Sequence, residues 1–457
     1  MDVRRHRLDN GLRIAVVPIP GLLSAAVLLA IEAGQWFEPV GRPGIGRLCA
    51  LAMLRGTTTR DAKTWGDALD AIGAAARLDV GSHAATFSAQ SLGSDLDVLL
   101  ELMADAVVRP AFADKEVELV RQQTVAQIEE DAKNTRAVAE RAWRELVYPQ
   151  GHPFRARPIG DLEVVRGASA DDLREHHRRA IRPDGAVLVV AGGVDAEQVF
   201  DGAAKAFSSW RAGGAREERK VPEARLTTAV RKLAVVPDKT QSDVVLGWPG
   251  LPRTDPRFVA ARVTNMVFAA DTFASRAGHV VRDELGLAYY VFSTLGGSRG
   301  QSPWVVRMGV NPINVDRAVS TTLEELRKIV DGKVAQDDLE LAQDKLVGEL
   351  DIARESPAGV ASLLLEGEVF ELGDDYAERY PGELRAVRLE QVVEMARTFL
   401  PPDRYSLAIA AADADSVKRA SDGYRKKYRK GGSLDSMLVP ATLPTTDAYS
   451  HPWVPRR

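Results

Sequence analysis

Strand-like apolar stretches run over Arg13 to Pro18, Ala25 to Ile31 and Ala84 to Ser88, and again over Leu233 to Val236, Val244 to Gly247 and Trp304 to Gly309. Their alternation and their short length predict strands. Between and after them the period lengthens. Asp95 to Val108 and Val315 to Val330 carry apolar residues three and four apart, which predicts amphipathic helices. Strands followed by runs of helices predict an α+β fold, an α/β sandwich on a largely antiparallel sheet.

The pattern occurs twice. Lys115-Glu-Val-Glu-Leu119 with Val125-Ala-Gln-Ile128 returns as Asp337-Asp-Leu-Glu-Leu341 with Val347-Gly-Glu-Leu350, an offset of 222 residues (337 minus 115). The closing unit returns as well. A helix around Asp171 to Ala180 leads through Arg182-Pro-Asp-Gly to the strand Ala186 to Val190, and a helix around Glu390 to Phe399 leads through Pro401-Pro-Asp-Arg to Tyr405 to Ile409. An internal repeat of this length predicts two domains of one fold. We place them at 1–212 and 224–430, joined by a glycine-rich, then charged linker at 213–223. The tail, 431–457, is rich in proline and small polar residues and reads as disordered, or as an extended strap held by Leu438, Leu443, Tyr449 and Trp453.

At 457 residues, 45% apolar and 27% charged, the chain has globular composition and can bury two cores. A net charge of −4 calls for neither nucleic acid nor an anionic membrane, and the basic run Arg425 to Lys430 reads as a solvated helix end. Cys49 stands alone among apolar residues, which predicts a buried inert thiol. Arg4, Arg5 and Arg7 before the apolar stretch 22–31 superficially mimic a signal peptide. The turn Leu8-Asp-Asn-Gly-Leu12 instead predicts a first hairpin, and ten residues are too few to cross a bilayer. The expectation is a cytoplasmic protein, or a periplasmic one if a leader was removed.

The chemistry centres on Gly44-Ile-Gly-Arg-Leu-Cys-Ala-Leu-Ala-Met-Leu-Arg-Gly-Thr57. This segment resembles the inverted zinc motif of the M16 (pitrilysin-like) metallopeptidases, G-L-x-H-x-x-E-H-x-x-x-x-G-T, in which two histidines on one helix face bind zinc and a glutamate activates water. Aligned without a gap, the histidines fall on Arg47 and Leu51 and the glutamate on Ala50. The family's third ligand, a glutamate on a second helix, falls on Gln127, 76 residues past Leu51 (127 minus 51). Arginine and leucine cannot ligate zinc, and an amide is a poor substitute for a carboxylate. The resemblance extends over about residues 3 to 415 through Leu8-x-Asn-Gly-Leu12, Gly34 with Glu38, Pro110-x-Phe112, His152-Pro-Phe with Pro158-Ile-Gly160, and Arg282-Asp-Glu-Leu-Gly-Leu-Ala-Tyr289. It implies two homologous domains of the M16 metallohydrolase type closing as a clamshell.

It also implies that Arg282 and Tyr289 match the family's substrate clamp, which holds the peptide backbone beside zinc. A guanidinium and a phenol are fixed donors suited to a developing oxyanion. Read without the family, the same residues are a solvated helix-end arginine and a core tyrosine. His176 and His177, about 100° apart on a helix, read as solvated side chains. His152 reads as structural, and His83, placed on a strand, and His279 show no ligand partner. Gly296, Gly297 and Gly300 form a turn between strands and lack the G-K-[ST] of a phosphate loop.

The expected function is that of a non-catalytic subunit of a heteromeric zinc peptidase. It would grip extended or unfolded peptides while a homologous H-x-x-E-H chain supplies zinc, which this chain would not carry. A structural or chaperone-like relative without proteolytic role is the alternative, and a hydrolase with an unrecognised site ranks below both because no nucleophile and base are paired.

Overall fold

The computed structural model describes residues 1–211 and 221–412. Most of the linker, the basic run Arg425 to Lys430 and the whole tail lie outside the described residues.

The first half is built on β1 (Arg4–Arg7), β2 (Arg13–Pro18), β3 (Ser24–Ile31), β4 (Ala75–Val80), β5 (Ala85–Leu92) and β6 (Ala186–Gly192), in the order β1-β2-β6-β3-β5-β4. β1 and β2 form the expected hairpin, with Arg4 opposite Val16. Only β2 and β6 run parallel. The second half uses β7 (Val230–Val235), β8 (Ser242–Pro249), β9 (Ala288–Leu295), β10 (Pro303–Val310) and β11 (Ser406–Ala411), ordered β7-β11-β8-β10-β9. With β1 set aside, the two orders are the same: first strand, fifth, second, fourth, third. The one parallel pair falls at the same place, between β7 and β11. The repeat seen in the sequence is therefore a repeat of topology.

β3 and β6 are apolar at almost every position, and nearly every side chain is buried. A strand of that kind must be covered on both faces. One face of the first sheet carries helices of its own half, where Leu99, Leu100 and Met103 of Leu96–Val108 pack with Leu29, Leu188 and Val190. The other face carries a helix of the second half, Pro357–Val369, whose Val360, Ala361, Leu364 and Leu365 meet Val17, Leu28, Val187 and Val189. The exchange is reciprocal. Helix Thr135–Val147 of the first half lays Ala139, Ala142, Trp143 and Val147 on Val245, Val305, Ala408 and Ala410 of the second sheet. Each half thus completes the core of the other, and each large side chain so buried stabilises the pair by about 1.5–3 kcal/mol.

Polar contacts follow the same seam. Glu140 of the exchanged helix accepts from Arg307 on β10 at 2.8 Å and from Arg144 at 3.0 Å. Glu32 receives Arg299 of the second half at 2.6 Å. Among the described residues, no helix is long and apolar enough to cross a membrane.

Candidate functional site

Helix Ile45–Met53 carries the motif positions, and its frame is held by groups with structural tasks. It is entered at Gly44 with φ +96°, and a Cβ there would stand 2.5 Å from the Cα of Gly160. Only glycine meets both demands. Glu38, 5% exposed, accepts from the amides of Gly44 at 3.0 Å and Gly46 at 2.9 Å, satisfying donors that the helix start leaves open. At the far end Thr57 donates to the buried carboxylate of Asp105 at 2.7 Å, which also holds Arg60 and Arg109.

Within this frame, Ala50 is buried and Leu51 packs half-buried against the first core. Arg47 is half-buried, with its Nε enclosed and without an acceptor among the described residues. Gln127 lies on the adjoining helix Asp114–Asp131, is exposed, and donates to Asp131 on its own helix at 3.0 Å. A guanidinium, two alkyl groups and an amide supply no donor set for zinc. Among the described residues, no group of three or more His, Cys, Asp or Glu side chains is arranged to hold a metal.

Arg282 and Tyr289 come together on the second half. Arg282 lies in a π-helical turn, His279–Glu284, a widened form that recurs at functional sites. Its Nε donates to the carbonyl of Tyr289 at 3.3 Å, its Nη1 pairs with Asp283 at 2.7 Å, and its guanidinium stacks 4.5 Å over the exposed ring of Phe273. Tyr289 is the residue at which the β9–β10 register slips: Tyr290 faces Gly309 and Ala288 faces Val310, which leaves Tyr289 without a partner. A bulge of this kind turns a side chain out of the sheet. Tyr289 is 68% exposed. Neither its hydroxyl nor Nη2 of Arg282 has a partner among the described residues, so both donors are open to a ligand. No hydrogen bond, ion pair or ring contact among the described residues joins this pair to Arg47, Leu51 or Gln127.

Tyr290, next in the chain, reaches across the seam. Its hydroxyl donates to Asp243 on β8 and accepts from Nε of Arg136 at 3.1 Å, while the Arg136 guanidinium lies 4.5 Å over its ring. Thr135 donates to the other oxygen of Asp243. Burial and the adjacent Asp243 carboxylate push the Tyr290 phenol well above its ordinary pKa. Nothing in the sequence marks this network, because its members come from both halves and have no common spacing.

The histidines correct the sequence reading in part. His176 and His177 are packed, not solvated: helix Ala170–Ala180 lies against Ile45–Met53 and turns His176 inward, and His177 Nε2 meets the carbonyl of Val107 at 2.8 Å. His83 sits in the β4–β5 turn, not on a strand, between Phe37 and Phe370 and 3.5 Å from Glu32. His279 has Glu284 at 3.1 Å. His152 is structural as expected, stacked on Tyr148 and accepting from the Phe154 amide. Cys49 is buried, and burial pushes its thiol far up.

Two family models match in tandem, "Insulinase (Peptidase family M16)" over residues 13–152 and "Peptidase M16 inactive domain" over residues 167–346. Together they take in well over half of the chain, which belongs to the M16 peptidase family. An uncharacterized zinc protease of Bacillus subtilis is 24% identical over 412 residues, 89% of this chain and 98% of that protein. One from Streptomyces coelicolor is 25% identical over 374 residues, 80% of each. Among solved structures, a peptidase M16 inactive domain from Pseudomonas fluorescens superposes with a TM-score of 0.84 at 19% identity, covering 91% of this chain and 99% of that one. A protease from Helicobacter pylori superposes at 0.81 and 18% identity, covering 90% and 99%. At these identities the structures speak for the fold.

Proposed function

We propose that this chain is the non-catalytic subunit of a heteromeric M16 zinc peptidase, and that Arg282 and Tyr289 hold an extended peptide whose hydrolysis depends on zinc, base and water supplied by a homologous chain. The observation that carries this reading is the split between the two sets of residues. The motif helix keeps its caps and packing while Arg47, Ala50, Leu51 and Gln127 present no metal donors. The Arg282 and Tyr289 side chains, in contrast, keep open donors at a bulge and a π-turn. In that setting Tyr289 would donate through its hydroxyl and Arg282 through Nη2, to a peptide carbonyl in the ground state and to the oxyanion that replaces it.

The test is reconstitution. The purified chain is expected to hold no stoichiometric zinc and to cleave no peptide, and mixing it with a zinc-bearing M16 homologue from the same organism should create co-elution and activity that neither chain has alone. One tightly held zinc per chain, lost on Leu51→Ala, would contradict the reading at its root. So would a full set of zinc-bearing homologues that neither bind this chain nor gain activity from it, a result favouring the structural or chaperone-like role.

A further inference from the structure

Where Tyr290 reaches across the seam lies an open recess of about 330 Å³ lined by Asn134, Thr135, Arg136, Lys239, Gln241 and Asp243. Its place in the fold is specific. Asn134, Thr135 and Arg136 come from the first half and Lys239, Gln241 and Asp243 from the second, and Tyr290, which Arg136 covers, adjoins Tyr289 in the chain. The recess therefore lies on the seam between the two halves, where Tyr290 links it along the chain to the proposed clamp.

Its carboxylate is already engaged and its cations are not. Asp243, the one acid in the lining, is 5% exposed and receives Thr135 on one oxygen and Tyr290 on the other. The Oδ1 of Asn134 accepts from the Ala137 amide at 3.2 Å, and its amide hydrogens have no partner among the described residues. Arg136 uses Nε on Tyr290, and neither of its Nη atoms has a partner among the described residues. Lys239, in the turn between β7 and β8, is exposed, and its Nζ likewise has none. Two cations and open amides thus face a space whose carboxylate is saturated, and the stacking of Arg136 on Tyr290 fixes the direction of its fork. A planar anion that can bridge a guanidinium and an ammonium meets that arrangement best.

We infer that this recess is a carboxylate subsite, which binds an acidic group of the extended peptide through Arg136 and Lys239. The inference rests on the reading of Arg282 and Tyr289 as a peptide clamp, and it adds a preference in the substrate. The carboxylate comes either from an aspartate or glutamate side chain or from the peptide's C-terminus.

Lys239 offers a direct readout in the full chain. Acetylation of its Nζ by an amine-reactive ester is followed by mass spectrometry with three otherwise identical peptides: one carrying glutamate and an amidated end, one carrying glutamine and an amidated end, and one carrying glutamine and a free end. The inference predicts that a carboxylate-bearing peptide slows Lys239 acetylation about fivefold, the scale of a partly exposed charge pair, and that the neutral peptide does not. The glutamate peptide and the free-end peptide then identify the source. Arg136→Gln should abolish the protection, as should raising the salt. Because the readout is local, it is repeated in Arg282→Ala: protection that persists there supports the subsite even if the clamp reading fails. Equal acetylation with all three peptides in the unmodified chain, or protection unchanged in Arg136→Gln, overturns the inference and leaves the clamp to be judged by reconstitution.

Discussion

His176 shows how a side chain placed by packing becomes a liability in acid. It is 5% exposed, its Nε2 has no partner among the described residues, and it lies against Gly46 of the motif helix. Burial first, then the neighbouring His177, Arg179 and Arg42, lower its pKa to about 4. The unfolded chain takes up this proton near pH 6.5 and the folded chain only near 4, so the stability present above 6.5 is lost as the pH falls through that window. Between pH 7 and pH 5 the unmodified protein should lose about 2 kcal/mol more than His176→Leu does. Urea unfolding of both at the two pH values measures the difference, and parallel losses would show that His176 does not titrate in this way. Arg47 and Leu51 make the complementary point on the neighbouring helix: one motif position is filled by an alkyl group that packs and another by a guanidinium, so the helix is kept without its chemistry.

Among the elements, the two exchanged helices matter most. Trp143 is fully buried against the second sheet although its helix belongs to the first half. Trp143→Ala should cost about 3–5 kcal/mol. Because the core it leaves is shared, calorimetry should show both halves melting earlier in one transition, whereas a separate early transition of the second half alone would contradict the shared core. Half of this arrangement was legible in the chain. The hairpin at Leu8 to Leu12, the duplicated strand and helix pattern and the apolar runs of β3 and β6 all appear as read, and runs apolar on both faces already imply two covers. Which helix supplies the second cover was not legible, since Thr135–Val147 and Pro357–Val369 look like any amphipathic or apolar helix until the halves meet. β4 went unread because Ala-Ala-Arg-Leu-Asp-Val, at an edge of the sheet, carries little apolar signal. That Arg282 and Tyr289 lie together was legible through the spacing of one motif. The bulge that exposes Tyr289 and the Asp243–Tyr290–Arg136 network were not, because a register slip and a contact across the seam leave no mark in one-dimensional order.

At the scale of the whole molecule, the shared cores hold two copies of one topology together, one bearing a motif helix emptied of donors and the other bearing open ones. An assembly in which a homologue restores the missing chemistry makes use of both. The central claim is that this chain contributes donors to a reaction whose metal lies elsewhere, and turnover of the reconstituted complex carrying Arg282→Ala or Tyr289→Phe tests it most directly. With kcat and KM measured separately, each variant should assemble with the partner and leave its zinc content intact while lowering kcat roughly 100-fold or more, the scale of losing one oxyanion donor in a site poor in water. Full kcat and unchanged KM in both variants would contradict the account, assigning the pair to packing and the chain to a structural place in the complex.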